Sequence, residues 1–204
     1  METRPIGPTN PAQASLYSAP SGRVDVVDVP TMRFAVVDGV GRPQSDAFAQ
    51  AIQGLFTVAW GVRFALRGGP GEEKVSPLEA LWSWNESDEG GAEWRAMIRL
   101  PRAATKHVVQ AVKREALTRH AELGVALDAV SLVDWREGLS VQTMHVGPYD
   151  REEPTVRLLR DFIDVNGYVA TGRHHEIYLG DPRRSAPEKL RTILRQPVRR
   201  RSGP

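Results

Sequence analysis

The chain of 204 residues contains no cysteine. That excludes a disulfide framework, a thiolate nucleophile and any Cys-ligated metal centre. An apolar run of about 18 residues is also lacking, as is an apolar core behind the polar start Met1-Glu-Thr-Arg-Pro5. Neither a membrane span nor export by a visible signal is therefore expected, and a cytoplasmic location follows as the default. Charge of one sign is scarce too, because 27 Lys+Arg stand against 25 Asp+Glu, a formal +2. No global field would draw such a chain to nucleic acid or to an anionic membrane, and direct nucleic-acid binding is not expected. Arg199-Arg-Arg201 before Ser202-Gly-Pro204 reads as a solvated basic tail over 199–204.

Familiar catalytic signatures are missing as well. Gly68-Gly-Pro-Gly71 lacks the Lys-Ser/Thr of a phosphate loop, and no Gly-x-Ser-x-Gly elbow offers an acyl-enzyme nucleophile. His174-His-Glu176 hints at metal, but adjacent strand residues face opposite ways and no second ligand pair has suitable spacing. No metal and no cofactor are expected.

What is present is an ordinary globular composition, 41% hydrophobic and 25% charged, enough to bury a core. Residues 1–22, with Pro5, Pro8, Pro11 and Pro20, read as a flexible leader to a domain over 23–198. Val24 to Asp28 and Arg33 to Val40 are strand candidates. Phe48, Ile52, Leu55, Phe56 and Ala59 form the stripe of an amphipathic helix that stops near Gly61. Leu78 to Trp84 and Trp94 to Leu100 read as strands joined by a polar turn. A connecting helix follows, with Thr105 as N-cap and Gly124 after its end. Val130 to Trp135 and Leu139 to Val146 then read as strands around a Glu137-Gly138 turn. Val156, Leu159, Phe162 and Ile163 mark a second amphipathic helix, and His174 to Leu179 and Leu190 to Val198 two last strands.

The second half repeats the first. At an offset of 106, Val40-Gly41 match Val146-Gly147, Ile52 matches Leu158, Phe56 matches Phe162 and Gly61 matches Gly167. Arg95, Arg99 and Pro101 match Arg191, Arg195 and Pro197 at 96, and Glu79 lines up with Glu176 at 97. This predicts an α+β fold of internally duplicated strand-helix-strand-strand units, halves about 24–101 and 125–198, related by a pseudo-two-fold with a ligand groove between them. Chance likeness of two such units is the competing reading.

Three ordered motifs carry a resemblance. His145-Val-Gly-Pro-Tyr149-Asp150 with Glu152, then His174-His-Glu176-Ile-Tyr178-Leu-Gly-Asp181, then Lys189-Leu-Arg-Thr-Ile-Leu-Arg195-Gln-Pro-Val198 look like the C-terminal signature of stand-alone GyrI-like proteins, and Pro77-Leu-Glu79-Ala-Leu-Trp82 resembles the corresponding block of the first half. The resemblance implies a drug-sized pocket shared with the effector-binding domains of MerR-type multidrug-sensing regulators, where the Glu matching Glu176 faces the pocket. It also implies kinship with hydrolases that open the cyclopropane of DNA-alkylating cyclopropanoids of the yatakemycin and duocarmycin type.

Strand alternation sets His174, Glu176 and Tyr178 on one face and His175, Ile177 and Leu179 on the other. A Glu at a sheet edge paired with arginine is the bland alternative. Glu152 precedes Pro154 at a helix start, where an electrostatic role is the simpler reading and Glu153 the better cap. With the resemblance, Glu152 and Glu176 are the expected catalytic pair. Tyr149, Tyr178, Trp82, Glu79 and His145 are the expected ligand contacts. The expected partner is a drug-sized aromatic molecule, with self-association weak at most. Non-catalytic binding or sensing of a drug, and modulation of gyrase, remain as other readings.

Overall fold

The computed structural model describes residues 16–68, 74–83 and 92–202. Trp84, the turn after it, Gly69-Pro70-Gly71, the first 15 residues and the last two lie outside them. The fold is α+β. Among the described residues no helix is long and apolar enough to cross a membrane. The chain forms two compact units, one taking it up to Pro30 and again from Glu137 onward, the other Thr31–Arg136.

The Thr31–Arg136 unit holds most of β1 (Asp25–Gly41), then α1 (Asp46–Ala65), β2 (Leu78–Ser83), β3 (Ala92–Leu100), α2 (Lys106–Arg119), α3 (Gly124–Ala129) and the start of β4 (Ser131–Val146). β3 lies between β1 and β2, antiparallel to both, with Arg33 opposite Leu100 and Leu78 opposite Ile98. Ser45 caps α1 by accepting from the Phe48 amide, and Thr105 caps α2 as its sequence predicts, accepting from the Val108 amide at 3.2 Å. α1 does not stop at Gly61. A Cβ there would fall 2.3 Å from Val112 Cγ1, so this glycine lets α1 and α2 approach closely and marks packing rather than an end.

Two pairs of expected strands are each a single strand. β1 runs through Pro30, and β4 runs through Gly138, which takes a φ of +79° without ending the strand. Gly124 begins a short helix instead of closing one.

In the other unit β7 (Arg191–Arg200) lies between β4 and β6 (His174–Tyr178), antiparallel to both, and its end pairs with β5 (Tyr168–Ala170). α4 (Glu153–Val165) packs on β5 and β7. The core on that side is Val141, Leu159, Ile163, Tyr168, Leu194 and Val198. On the reverse face Met144, Ile177 and Ile193 pack against Tyr17 and Ala19.

The chain therefore takes on structure before the expected domain start. Residues 16–21, assigned by sequence to the leader, run along β4: the Met144 amide and the Thr143 hydroxyl donate to the Pro20 carbonyl, and Gln142 Nε2 donates to the Ser18 carbonyl. The expected basic tail also changes character. Arg199 and Arg200 belong to β7, opposite Val169 and Tyr168, and the Arg200 guanidinium lies 5.3 Å from the Tyr168 ring centroid.

Candidate functional site

Register fixes which side chains of β6 share a face with α4. Glu176 is opposite Leu194 and Tyr178 opposite Thr192, while His175 is opposite Arg195. The burial pattern of β6 alternates accordingly: His175 and Ile177 are sealed on the reverse face, and His174, Glu176 and Tyr178 are partly buried on the α4 face. Tyr178 Oη donates to Glu176 Oε2 at 2.8 Å, and the Tyr149 ring meets the Tyr178 ring edge-on at 5.6 Å.

Glu152 reaches the same cluster from the opposite direction. It is the residue before the first turn of α4, and its carbonyl accepts from the amides of Thr155 and Val156. Its side chain makes no capping hydrogen bond, and Oε1 is buried with no hydrogen-bond partner. Glu153, expected as the cap, is instead exposed and 3.5 Å from Arg157 one turn on. The local sequence explains the placement: Gly147 has a φ of +135°, and Pro148 and Pro154 restrict the backbone on either side of a short 3-10 turn at Tyr149–Arg151.

His145 holds this turn. Its Nε2 is 3.2 Å from the Pro148 carbonyl and its Nδ1 3.0 Å from Thr155 Oγ1. A carbonyl only accepts, so Nε2 carries a hydrogen, and Nδ1 is the nitrogen that pairs with the threonine hydroxyl. Both ring nitrogens are thus engaged within the turn, which gives His145 a positioning role where sequence suggested a ligand contact.

The electrostatics follow from crowding acids out of water. Burial and then the neighbouring Glu176 push the Glu152 carboxyl up to about 8, with the Thr192 hydroxyl working against them. Glu176 is also raised by burial, but the Tyr178 hydrogen bond and the charge of His175 pull the other way. The two titrate as a pair, and the protein's hydrogen bonds favour the proton on Glu152 and the charge on Glu176. Burial, followed by the charges of Glu152, Glu176 and Asp181, raises the Tyr149 phenol.

His174 completes the cluster. Its Nε2 is 3.9 Å from Glu176 Oε1, beyond hydrogen-bond reach. Burial, with the charges of His175 and Arg160, lowers the imidazole to about 4, so it is neutral at physiological pH and the pair is not a salt bridge.

Trp82 and Glu79 lie in the Thr31–Arg136 unit. Trp82 is 1% exposed, faces Trp94 across the β2–β3 ladder and packs on Phe48 at 5.2 Å, a core role in that unit. Glu79 is fully buried, opposite Met97. Among the described residues no three His, Asp or Glu side chains converge as metal ligands.

Sequence reasoning missed a second buried cluster. On the reverse face of β6, Glu137 accepts from His175 Nδ1 at 2.9 Å and from Arg195 Nη1 at 3.1 Å, all three side chains being at most 1% exposed. Arg195 also donates to Gln142 Oε1 and to the Leu16 carbonyl. Burial alone would push Glu137 up, but His175 and Arg195 outweigh it and hold the carboxyl below its usual range.

Buried acids with raised proton affinity beside aromatic rings are a feature on which ligand sites in proteins commonly draw. The comparisons name the family: residues 23–199 match the GyrI-like small molecule binding domain, and the chain belongs to that family. An uncharacterized conserved protein from Listeria innocua is 34% identical, with a TM-score of 0.81 over 89% of this chain and 94% of its own. Two structures described as hydrolases from the same organism are 35% and 32% identical, with TM-scores of 0.80 and 0.78, each covering 90% of this chain and 95% of its own. No curated protein matches the chain.

Proposed function

We propose that this protein is a cytoplasmic hydrolase that opens the cyclopropane ring of electrophilic, DNA-alkylating cyclopropanoids by carboxylate-assisted attack of water, so protecting the cell. The observation that carries this reading is the acid pair: Glu152 and Glu176 are buried together, and both hold their protons more tightly than an ordinary carboxyl. Unequal environments give two acids two roles, and a base near neutrality is the useful one at physiological pH. Glu176, kept anionic by the Tyr178 hydroxyl, takes a proton from water. The water oxygen bonds to the ring carbon, a cyclopropane C–C bond breaks, and its electron pair passes through the conjugated dienone to leave a phenolate. The proton taken up by Glu176 then passes by way of solvent to the phenolate, so the net change is gain of one water and the base is regenerated. Glu152 keeps the shared proton and so lets Glu176 carry the charge, while Tyr149 and Tyr178 supply aromatic surface for a flat substrate. Likeness to hydrolase structures at about a third identity supports the reaction class. The finer fold reading, internal duplication of the strand-helix-strand-strand unit, belongs to the same proposal.

Non-catalytic sequestration has one observation in its favour, the unpartnered Glu152 Oε1, which a ligand hydrogen-bond donor would satisfy. Incubation of excess cyclopropyl-dienone with the protein, followed by mass spectrometry, separates the readings. Hydrolysis predicts many equivalents of product heavier by one water, whereas saturable binding without product supports sequestration. Glu176→Gln is expected to lower kcat by at least about 10²-fold. Glu152→Gln, which mimics the protonated carboxyl, is expected to lose about tenfold or less. Wild-type rates in both variants would eliminate the mechanism.

A further inference from the structure

The hydrogen bonding of the fold leaves one ring nitrogen of His174 unused. The imidazole lies on the α4 face of β6, its side chain 17% exposed, with Nε2 buried and without a hydrogen-bond partner. A buried ring nitrogen left unsatisfied costs stability, and such atoms in a native protein call for an explanation.

Gln196 donates its amide nitrogen to the carbonyls of Thr171 at 2.8 Å and Pro197 at 3.3 Å, which leaves its oxygen as the acceptor it offers to His174. Nε2 is the unpartnered nitrogen, and the hydrogen of the neutral ring is placed, as part of the proposal below, on Nδ1, the nitrogen left to face that oxygen. Nε2 therefore presents a lone pair toward Glu176 Oε1, 3.9 Å away. Glu176 Oε2 is occupied by the Tyr178 hydroxyl, so Oε1 is the carboxylate oxygen left to accept.

Two acceptors that cannot bond each other make a seat for a molecule with two donors. A water that donates one hydrogen to each spans acceptors roughly 4 to 4.5 Å apart at ordinary hydrogen-bond lengths, close to the separation observed. A water held by both of its hydrogens turns its lone pairs away from the protein, which is the orientation a nucleophile needs. We propose that His174 is a catalytic residue, the second acceptor that orients the attacking water while Glu176 Oε1 receives its proton. The assignment rests on the hydrolase reading above. In the step, the water hydrogen bound to Glu176 transfers as the carbon–oxygen bond forms. The hydrogen bound to Nε2 stays on the new hydroxyl group, and His174 ends as it began, neutral.

The test compares the wild-type chain with His174→Phe, His174→Asn and His174→Gln on a cyclopropyl-dienone probe, reading water addition by mass spectrometry and probe binding by titration. Gln extends its amide oxygen close to the former Nε2 position, whereas Asn falls short and Phe offers no acceptor. Phe and Asn are expected to lower kcat by about 10²-fold with KM within about threefold, and Gln to recover at least about tenfold over Asn. Equal losses in Asn and Gln, or a fully active Phe variant, overturn the assignment of His174 while leaving the hydrolase reading in place. A wild-type chain that binds the probe but never hydrates it overturns both.

Discussion

Two acid clusters lie back to back on β6, one residue apart in the chain. His175 reaches through the reverse face to Glu137, which also receives Arg195; Glu176 points toward α4, where its neighbours are Glu152 and two tyrosines. Both clusters are withdrawn from water, yet Glu137 is held below the usual carboxylate range and Glu152 is pushed up to about 8. Burial acts in the same direction on both. The difference is compensation: Glu137 has a guanidinium and an imidazole in contact, while Glu152 has another acid and an oxygen with no partner. A compensated buried acid joins strands and the residue 16–21 segment into one unit; an uncompensated one stores proton affinity that a reaction can use.

Arg195→Met should have the largest effect on this contrast. It strips Glu137 of its guanidinium and removes the bonds to Gln142 and the Leu16 carbonyl, turning the stable cluster into a second uncompensated acid. Breaking a buried pair on one side typically costs about 3–5 kcal/mol, and urea unfolding at neutral pH should show a loss of that size. A loss under about 1 kcal/mol would mean that the network contributes little beyond its packing.

Glu152→Gln probes the other side with the opposite sign. Between its ordinary value of 4.5 and its folded value of about 8, the folded chain holds a proton that the unfolded chain has lost. Wild-type stability contributed by this group therefore falls as pH rises through that window. The amide carries no such dependence. The variant should match the wild type near about pH 4 and exceed it by about 1–3 kcal/mol above about pH 8. Glu137 behaves in reverse: its contribution is present above the ordinary carboxylate range and is lost in acid as its lowered folded pKa is crossed. Unfolding curves across pH for both proteins separate the two trends.

These contrasts were only half legible in the sequence. Alternation along His174-His-Glu-Ile-Tyr178 assigns faces without any structure, because the side-chain period of a strand is two, and Thr105 announces its own helix. Gly61 and Gly138 mislead for one reason: each is a local breaker whose residue type reports permission to bend or to approach closely, and the surrounding contacts decide whether the element ends. His145 stands in a motif and reads as a ligand contact, yet its partners are three and ten residues away in its own turn. Glu137 reads as a turn residue. Its partners lie 38 and 58 residues downstream, and the pairing becomes visible only when β4, β7 and β6 are laid side by side.

Tyr178→Phe makes the smallest and most specific change, since it deletes one hydroxyl and keeps the ring against Tyr149. The lost hydrogen bond, 2.8 Å long, favours the charged form of Glu176, so without it Glu176 should bind its proton still more tightly. The acidic limb of the pH–rate profile is expected to move upward by up to about one unit, with kcat on the alkaline plateau within about threefold of wild type. Stability should change by about 1 kcal/mol or less. Tyr149→Phe is the matched control, because Tyr149 meets Tyr178 through its ring, while the hydroxyl bonded to Glu176 belongs to Tyr178. It should leave that limb nearly in place. An unmoved limb in Tyr178→Phe would mean that the ionisation controlling the rate belongs to a group other than Glu176, and the division of labour between the two acids would have to be redrawn with Glu152 as the base.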